Sequence, residues 1–426
     1  MKRFLSVLIA AVCACVIGIS AKEKVSVLYV GGSPDFNTMG GMPVDQAEVA
    51  KSSKERTADF TRFLKQRFTK VTAIDGKDYK PEMSKAYDVT VFDGKPAVIR
   101  PEVMERDENG RVIRYEKAAF LPDDFDDAVI CIAEASENIG RSLGTKNDWF
   151  CLCLDNYALG WKKEHPIFNG PFKVNITTEM LPTPESAKEY GPMYGYTVPP
   201  TVEMWKVHNN GNFENEARIG MVARPWGYTD SPETEIISGG KCAKSLDAIA
   251  IGRHGNFFHW GFAAKPSDMT EAGKAALANA VVYMKDFKGK RVIARKLNEG
   301  IATRDAATAA KYASSRDCWK AMENVQLKFY HMMDSAVRAI KAKQAAGEEL
   351  SPMEMVQLQY PEPRKPEPIS FSDYLKERNP ELYKVFGEDE AEYARYYDKN
   401  RPYFRPDSKE GYGLEIDQEA RSLGIA

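Results

Sequence analysis

Ala128-Val129-Ile130-Cys131-Ile132-Ala133, followed at once by Glu134-Ala135-Ser136, is the stretch on which the fold turns. Six apolar residues without alternation read as a strand buried on both faces, the pattern of a parallel strand covered by helices. The polar residues behind it open a helix-like segment that runs through Leu143. The same unit recurs upstream. Val25 to Val30 is a strand, and the loop Gly31-Gly32-Ser33-Pro34-Asp35-Phe36-Asn37 follows it. Residues 45–68 then place Ala58, Phe60, Phe63, Leu64 and Phe68 near helical spacing. Val71 to Ile74 ends in Asp75-Gly76, Tyr87 to Phe92 ends in Asp93-Gly94, and Phe150 to Leu154 ends in Asp155-Asn156. Asp107-Glu108-Asn109-Gly110 marks the tip of a surface hairpin.

Strand, loop, helix, strand, repeated, predicts an α/β fold: a flavodoxin-like parallel sheet with helices on both faces. In such sheets ligands sit at the carboxyl edge of the strands. Residues 165–245 are richer in proline, glycine and aromatics and read as an insertion of strands and long loops. The sheet resumes at Ala248 to Gly252 and at Asn256 to Gly261, and Thr270-Glu271 starts a closing helix, so the main domain spans 22–288. A helical extension follows over 289–360. Its stripe of Trp319, Met322, Val325, Phe329, Met332, Val337 and Ile340 reads as core or docking surface. Pro361, Pro363, Pro366 and Pro368 form an extended linker. A tyrosine-rich tail ends the chain and is expected to pack across the main domain or to meet a protein partner.

The first 21 residues have the three parts of an export signal: Lys2-Arg3, an apolar run from Phe4 to Ile19, and small residues at Gly18, Ser20 and Ala21. The run is short for a spanning helix, which needs roughly 20 residues. Cleavage near Ser20 or Ala21 gives a periplasmic or secreted protein. Val12-Cys13-Ala14-Cys15 is a poor lipobox that keeps lipid anchoring at Cys15 as the minority alternative. With a net charge of −2, nothing points to nucleic acid. Of seven cysteines, removal of the leader leaves Cys131, Cys151, Cys153, Cys242 and Cys318. An odd set cannot all pair internally, and no CxxC or HxxxH spacing suggests zinc. Cys151 and Cys153 alternate on a strand and read as core.

Residues 25–285 resemble the ThuA-like branch of the glutamine-amidotransferase-like superfamily. The stretches that carry the likeness are Val27 to Gly32 with Asp35-Phe36, Tyr87 to Gly94, and Phe257-Phe258-His259-Trp260 with the Thr270-Glu271 helix. The whole chain is similar to secreted proteins of environmental and gut bacteria. The resemblance implies an amidotransferase-like parallel sheet. It also implies a nucleophilic cysteine in a Gly-x-Cys-x-Gly turn, paired with a histidine that a glutamate orients. Here Cys131 sits in an apolar run without those glycines, and His259 is followed by Trp260-Gly261 rather than Pro-Glu. A thiol in apolar surroundings is inert, so glutaminase activity is not expected.

The candidate catalytic residues are Glu134, Asp93 and His259. The candidate binding residues are Ser33, Asp35, Asn37, Arg141, Asp155, His254 and Trp260. Asp35, Asp93, Glu134 and Asp155 each follow an apparent strand, so a parallel sheet would bring them toward one edge. Two acids there could cleave a glycosidic bond, three could hold a cation, and each could instead cap a helix or close a turn. Arg141 and Arg253 could bind an anion or pair with these acids. His254 lies in a glycine turn and reads as exposed, as do Trp161, Trp226 and Trp260. The sequence names no cofactor. Three functions fit: a ligand-binding protein for a small molecule or carbohydrate, a hydrolase working through the carboxylate edge, and a structural or assembly protein.

Overall fold

A computed structural model describes residues 22–32, 46–108, 110, 112–116, 118–122, 124–145, 149–185, 187–188, 197–210, 220–224, 233–242, 245–292 and 310–400. The strands are β1 (Glu23–Gly31), β2 (Phe68–Asp75), β3 (Val89–Phe92), β4 (Val103–Arg106), β5 (Val112–Glu116), β6 (Val129–Ile132) and β7 (Trp149–Leu159). They continue as β8 (Thr178–Pro182), β9 (Thr201–Lys206), β10 (Gly220–Arg224), β11 (Thr234–Cys242), β12 (Ile249–His254) and β13 (Phe257–Trp260). The helices are α1 (Gln46–Arg67), α2 (Ala135–Leu143), α3 (Glu271–Met284), α4 (Arg316–Ala345), α5 (Pro352–Gln357), α6 (Phe371–Arg378), α7 (Pro380–Phe386) and α8 (Glu390–Asn400).

The architecture corrects the expectation of a flavodoxin-like or amidotransferase-like parallel sheet. The main sheet has 11 strands, in the order β2-β1-β3-β6-β13-β12-β10-β7-β9-β8, with β11 pairing β12 and β7. Only the contacts from β2 through β13 are parallel. From β12 onward every pair is antiparallel. Four of these strands close on themselves, since β10 pairs with both β12 and β7 while β11 pairs with the same two. The ring β7-β10-β12-β11 is a small antiparallel barrel.

The cause lies in residues 149–245. Phe150 to Leu154 looks like one more short parallel strand, but β7 runs on to Leu159, and Asp155 lies inside it rather than after it. Residues 165–245 then supply β8 to β11 to the same sheet. Small residues let the ring close. A Cβ on Gly240 would stand 2.2 Å from Leu154 Cδ1 and 2.7 Å from the Ala250 Cβ.

The described core lies on two faces of the parallel strands. On one, Val27, Tyr29, Val91 and Ile130 meet Phe60, Phe63 and Leu64 of α1 and Ala276, Leu277, Ala280 and Val281 of α3. On the other, Leu28, Val30, Phe92 and Cys131 meet Ala135, Ile139 and Leu143 of α2. The Thr270 hydroxyl caps α3 by accepting from the Gly273 N–H at 3.1 Å. The expected hairpin forms as β4 and β5, with Gly110 at φ 78 in its turn.

The C-terminal helices have a core of their own. Phe371, Tyr374, Leu375, Leu382, Tyr393, Tyr396 and Tyr397 are buried together, against Trp319 and Met322 of α4. The described tyrosines therefore pack on α4, not across the sheet as expected; Tyr403 and Tyr412 lie outside the described residues. Of the α4 stripe only Ile340 is buried, while Phe329 and Met332 are 60% and 58% exposed. No helix among the described residues is long and apolar enough to cross a membrane.

Candidate functional site

The carboxyl ends of β1, β2, β3 and β6 meet at one edge. Asp93 follows β3, where its own N–H donates to the Val30 carbonyl at 2.9 Å. Its carboxylate is 2% exposed. One oxygen accepts from the Tyr29 hydroxyl at 2.5 Å and from Arg56 Nε at 2.7 Å, and the other accepts from Arg56 Nη2 at 2.7 Å. This is a bidentate, charge-assisted pair. Burial alone would lower the Arg56 guanidinium, but the attraction of Asp93 and its hydrogen bond outweigh burial and raise it. The loops around the pair touch backbone to backbone. A Cβ on Gly94 would stand 2.3 Å from the Gly31 carbonyl oxygen. Asp93 is thus locked into a packed edge, not presented as an acid or a base.

The turn after β6 holds an unusual backbone. Ala133 has φ 48, the one described non-glycine residue at positive φ. It lies between a buried strand and a helix, the geometry in which enzymes expose a nucleophile on a strained elbow. Here the elbow carries a methyl group that is itself buried. Cys131, two residues earlier, is fully buried, and burial pushes its thiol well up. Glu134 is half-buried at the same turn.

His259 sits opposite Cys131 in the register and faces α2, on the other side of the sheet from Asp93. It is fully buried, and its Nε2 lies 3.1 Å from the Met221 carbonyl. A carbonyl only accepts, so Nε2 carries the hydrogen and the neutral ring's Nδ1 accepts. Its partner there is the Ser136 hydroxyl at 2.7 Å, a shorter contact than the 3.1 Å from that hydroxyl to the Cys131 carbonyl. Burial pushes His259 down to about 4, which keeps the ring neutral near pH 7. Ser136 is also fully buried, so this serine–histidine pair holds the first turn of α2 onto β13.

The other predicted residues are scattered. His254 is fully buried, not exposed, because β12 carries it to its last position before the turn at Gly255; its Nε2 lies 3.1 Å from Glu233 Oε1. Trp260 is buried in the core and its indole N–H finds no partner, which corrects the expectation of an exposed ring. Trp161 is half-buried beside Lys163. Asp155 lies within β7, paired with Lys241 at 2.8 Å. Arg253 pairs away from the edge acids. Its Nε donates to Glu235 at 3.0 Å, and its guanidinium lies 3.9 Å from the centre of the Phe287 ring. Glu235 also accepts from Tyr283 and faces His165 at 3.4 Å. Burial would raise Glu235, but these three partners hold it well below the usual carboxylate range. Ser33, Asp35, Asn37 and Trp226 lie outside the described residues, as does the side chain of Arg141. Among the described residues no group of three or more His, Cys, Asp or Glu is arranged to hold a metal ion.

Sequence reasoning missed Arg56, Tyr29, Ser136 and Glu235. Arg56 had a usable signal, because it stands one turn before Phe60 on the apolar face of α1, where an unpaired arginine would be costly. A groove on the C-terminal helices had a weaker signal. It holds about 750 Å³ and runs between α4 and the extended segment 365–369. Trp319, Met322, Leu327, Pro366, Pro368 and Tyr374 line its apolar part, and Glu323, Gln326, Glu377 and Arg378 supply polar groups. No family model matches the chain, and no curated protein matches it.

Proposed function

We propose that this is an exported, non-catalytic ligand-binding protein, and that the groove on α4 is its binding surface, for a carbohydrate-like ligand. The observation that carries the reading is a contrast. Among the described residues of the sheet edge, Asp93 is buried and fully paired, and the elbow holds an alanine. Along α4 an open groove sets Trp319 beside carboxylates, an amide and a guanidinium. Ligand sites are concave, mostly apolar and furnished with a few polar groups that fix orientation. Aromatic faces beside hydrogen-bonding groups suit sugar rings. The hydrolase reading has less support, because Asp93 and His259 lie on opposite faces of the sheet and Asp93 is consumed by Arg56.

Calorimetric titration and thermal shift across a glycan panel test this reading. Binding is expected, and Trp319→Ala should weaken it by about tenfold or more, the scale of one lost aromatic contact. Silence across the panel, or binding untouched by Trp319→Ala and Arg378→Ala, rejects the assignment.

One observation favours assembly as a second reading. Phe329, Met332, Met353 and Met355 are exposed on α4 and α5. Light scattering that shows a monodisperse monomer at micromolar concentration removes self-assembly.

A further inference from the structure

Cys151, Cys153 and Cys242 form a cluster that neither the sheet edge nor the α4 groove uses. Cys153 Sγ lies 2.7 Å from Cys151 Sγ and 3.3 Å from Cys242 Sγ. None of the three is in a disulfide. The central sulfur therefore touches two others, and only one disulfide can form at a time. Cys151 and Cys153 are half-buried and keep some exposure, whereas Cys242 is buried. An oxidant can thus reach the first two directly and the third only through Cys153. The cluster joins two neighbouring strands of the closed ring, with Cys151 and Cys153 on β7 and Cys242 at the end of β11.

We propose that this trio is a thiol–disulfide exchange site that ends in a Cys153–Cys242 disulfide, a clasp tying β7 to β11. The oxidant is a small-molecule disulfide. A thiolate of Cys151 or Cys153 attacks it, forming a mixed disulfide and releasing one small thiolate. When the adduct forms on Cys151, Cys153 attacks the Cys151 sulfur and releases the second small thiolate, and Cys242 then attacks Cys153, returning Cys151 to a thiol. When it forms on Cys153, Cys242 attacks directly. By either route two protein thiols lose two electrons and two protons, and the small disulfide takes them up as two small thiols. The Cys151–Cys153 bond is the transient one. Residues two apart on a strand stand about 6.6 Å apart, at the upper limit of the roughly 4.4–6.8 Å that disulfides span, and strained bonds are the more easily reduced. Contact with Cys151, then with Cys242, together with burial pushes the Cys153 thiol up. Exchange should therefore quicken as pH rises.

The experiment incubates the full chain with oxidised glutathione, blocks residual thiols and maps cysteine peptides by mass spectrometry, with a dithiothreitol-treated control. A Cys153–Cys242 linked peptide should appear, with Cys131 and Cys318 still free. The melting temperature of the oxidised form should rise by about 5 °C or more, as expected for a crosslink closing a long loop. Cys151→Ser should keep the link, and Cys242→Ser should leave glutathione trapped on the β7 pair or a Cys151–Cys153 bond. Cys153→Ser should leave Cys151 and Cys242 unlinked. Three free thiols at equilibrium, or a Cys151–Cys242 link in Cys153→Ser, overturns the proposal. The wild-type thiol map decides it even where a variant fails to fold.

Discussion

Asp93 shows what a single side chain can and cannot announce. Its position at a strand end is legible, because a strand read from Tyr87 to Phe92 must stop at Asp93-Gly94. Its partner is not, because Arg56 comes 37 residues earlier on a helix whose packing only the fold decides. The pair should be costly to break one-sidedly. Asp93→Asn leaves a buried guanidinium uncompensated and is expected to lose about 3–5 kcal/mol in chemical denaturation. Asp93→Leu combined with Arg56→Met should cost less than either single change; a loss below about 1 kcal/mol for Asp93→Asn would show that the pair is not desolvated. The histidines set a second expectation. Burial pushes both His259 and His208 down to about 4. The unfolded chain takes up these protons near pH 6.5 and the folded chain does not. Stability is therefore full above about pH 6.5 and falls as pH drops toward 4, by up to about 3 kcal/mol per histidine. Asp59 and Asp88, both held low in the folded state, add a further loss at more acid pH. Denaturation midpoints at pH 7.5 and 4.5 measure this, and His208→Phe should flatten the slope. Equal stability at the two pH values contradicts the buried neutral rings.

Among the elements, the apolar runs are legible and their directions are not. Val25 to Val30 and Ala128 to Ala133 are strands buried on both faces, as their composition demands. Composition does not encode whether the next strand returns parallel or antiparallel; the connection decides that. Residues 160–245 supply β8 to β11, whose pairing partners lie far away in the chain, so the antiparallel ring stays hidden until the pairing is known. Gly239-Gly240 is the one local hint, two glycines inside a strand, where close approach of another element is the usual reason. Gly240→Ala tests it. The added methyl meets Leu154 Cδ1 and the Ala250 Cβ, and overpacking of this kind costs about 1–3 kcal/mol. Gly160, at φ 56 with open space around it, is the control for backbone strain without a clash. A neutral Gly240→Ala would show that the ring has room to spare.

At the scale of the whole molecule, the chain builds separate cores. The sheet residues and α1 to α3 form the larger clusters, and every residue of the third comes from 310–400. The tyrosines that read as a strap across the main domain instead bury one another, and Tyr374 donates to the Ala313 carbonyl at 2.7 Å just before α4. Composition explains the misreading, because aromatic residues announce burial without naming the surface that buries them. The two parts also divide the proposed labour, with the disulfide clasp in the ring and the ligand groove on α4. A chain ending after Val292 should therefore fold, keep the Cys153–Cys242 exchange and melt within about 5 °C of the full chain, because its core loses none of its own members. The same truncation should abolish ligand binding, since it removes every residue of the groove. Circular dichroism melts and the thiol map of the truncated chain measure the first set, and the glycan titration measures the second. A truncated chain that fails to melt cooperatively means the C-terminal helices complete the sheet domain's core, and a truncated chain that still binds moves the ligand site back to the sheet.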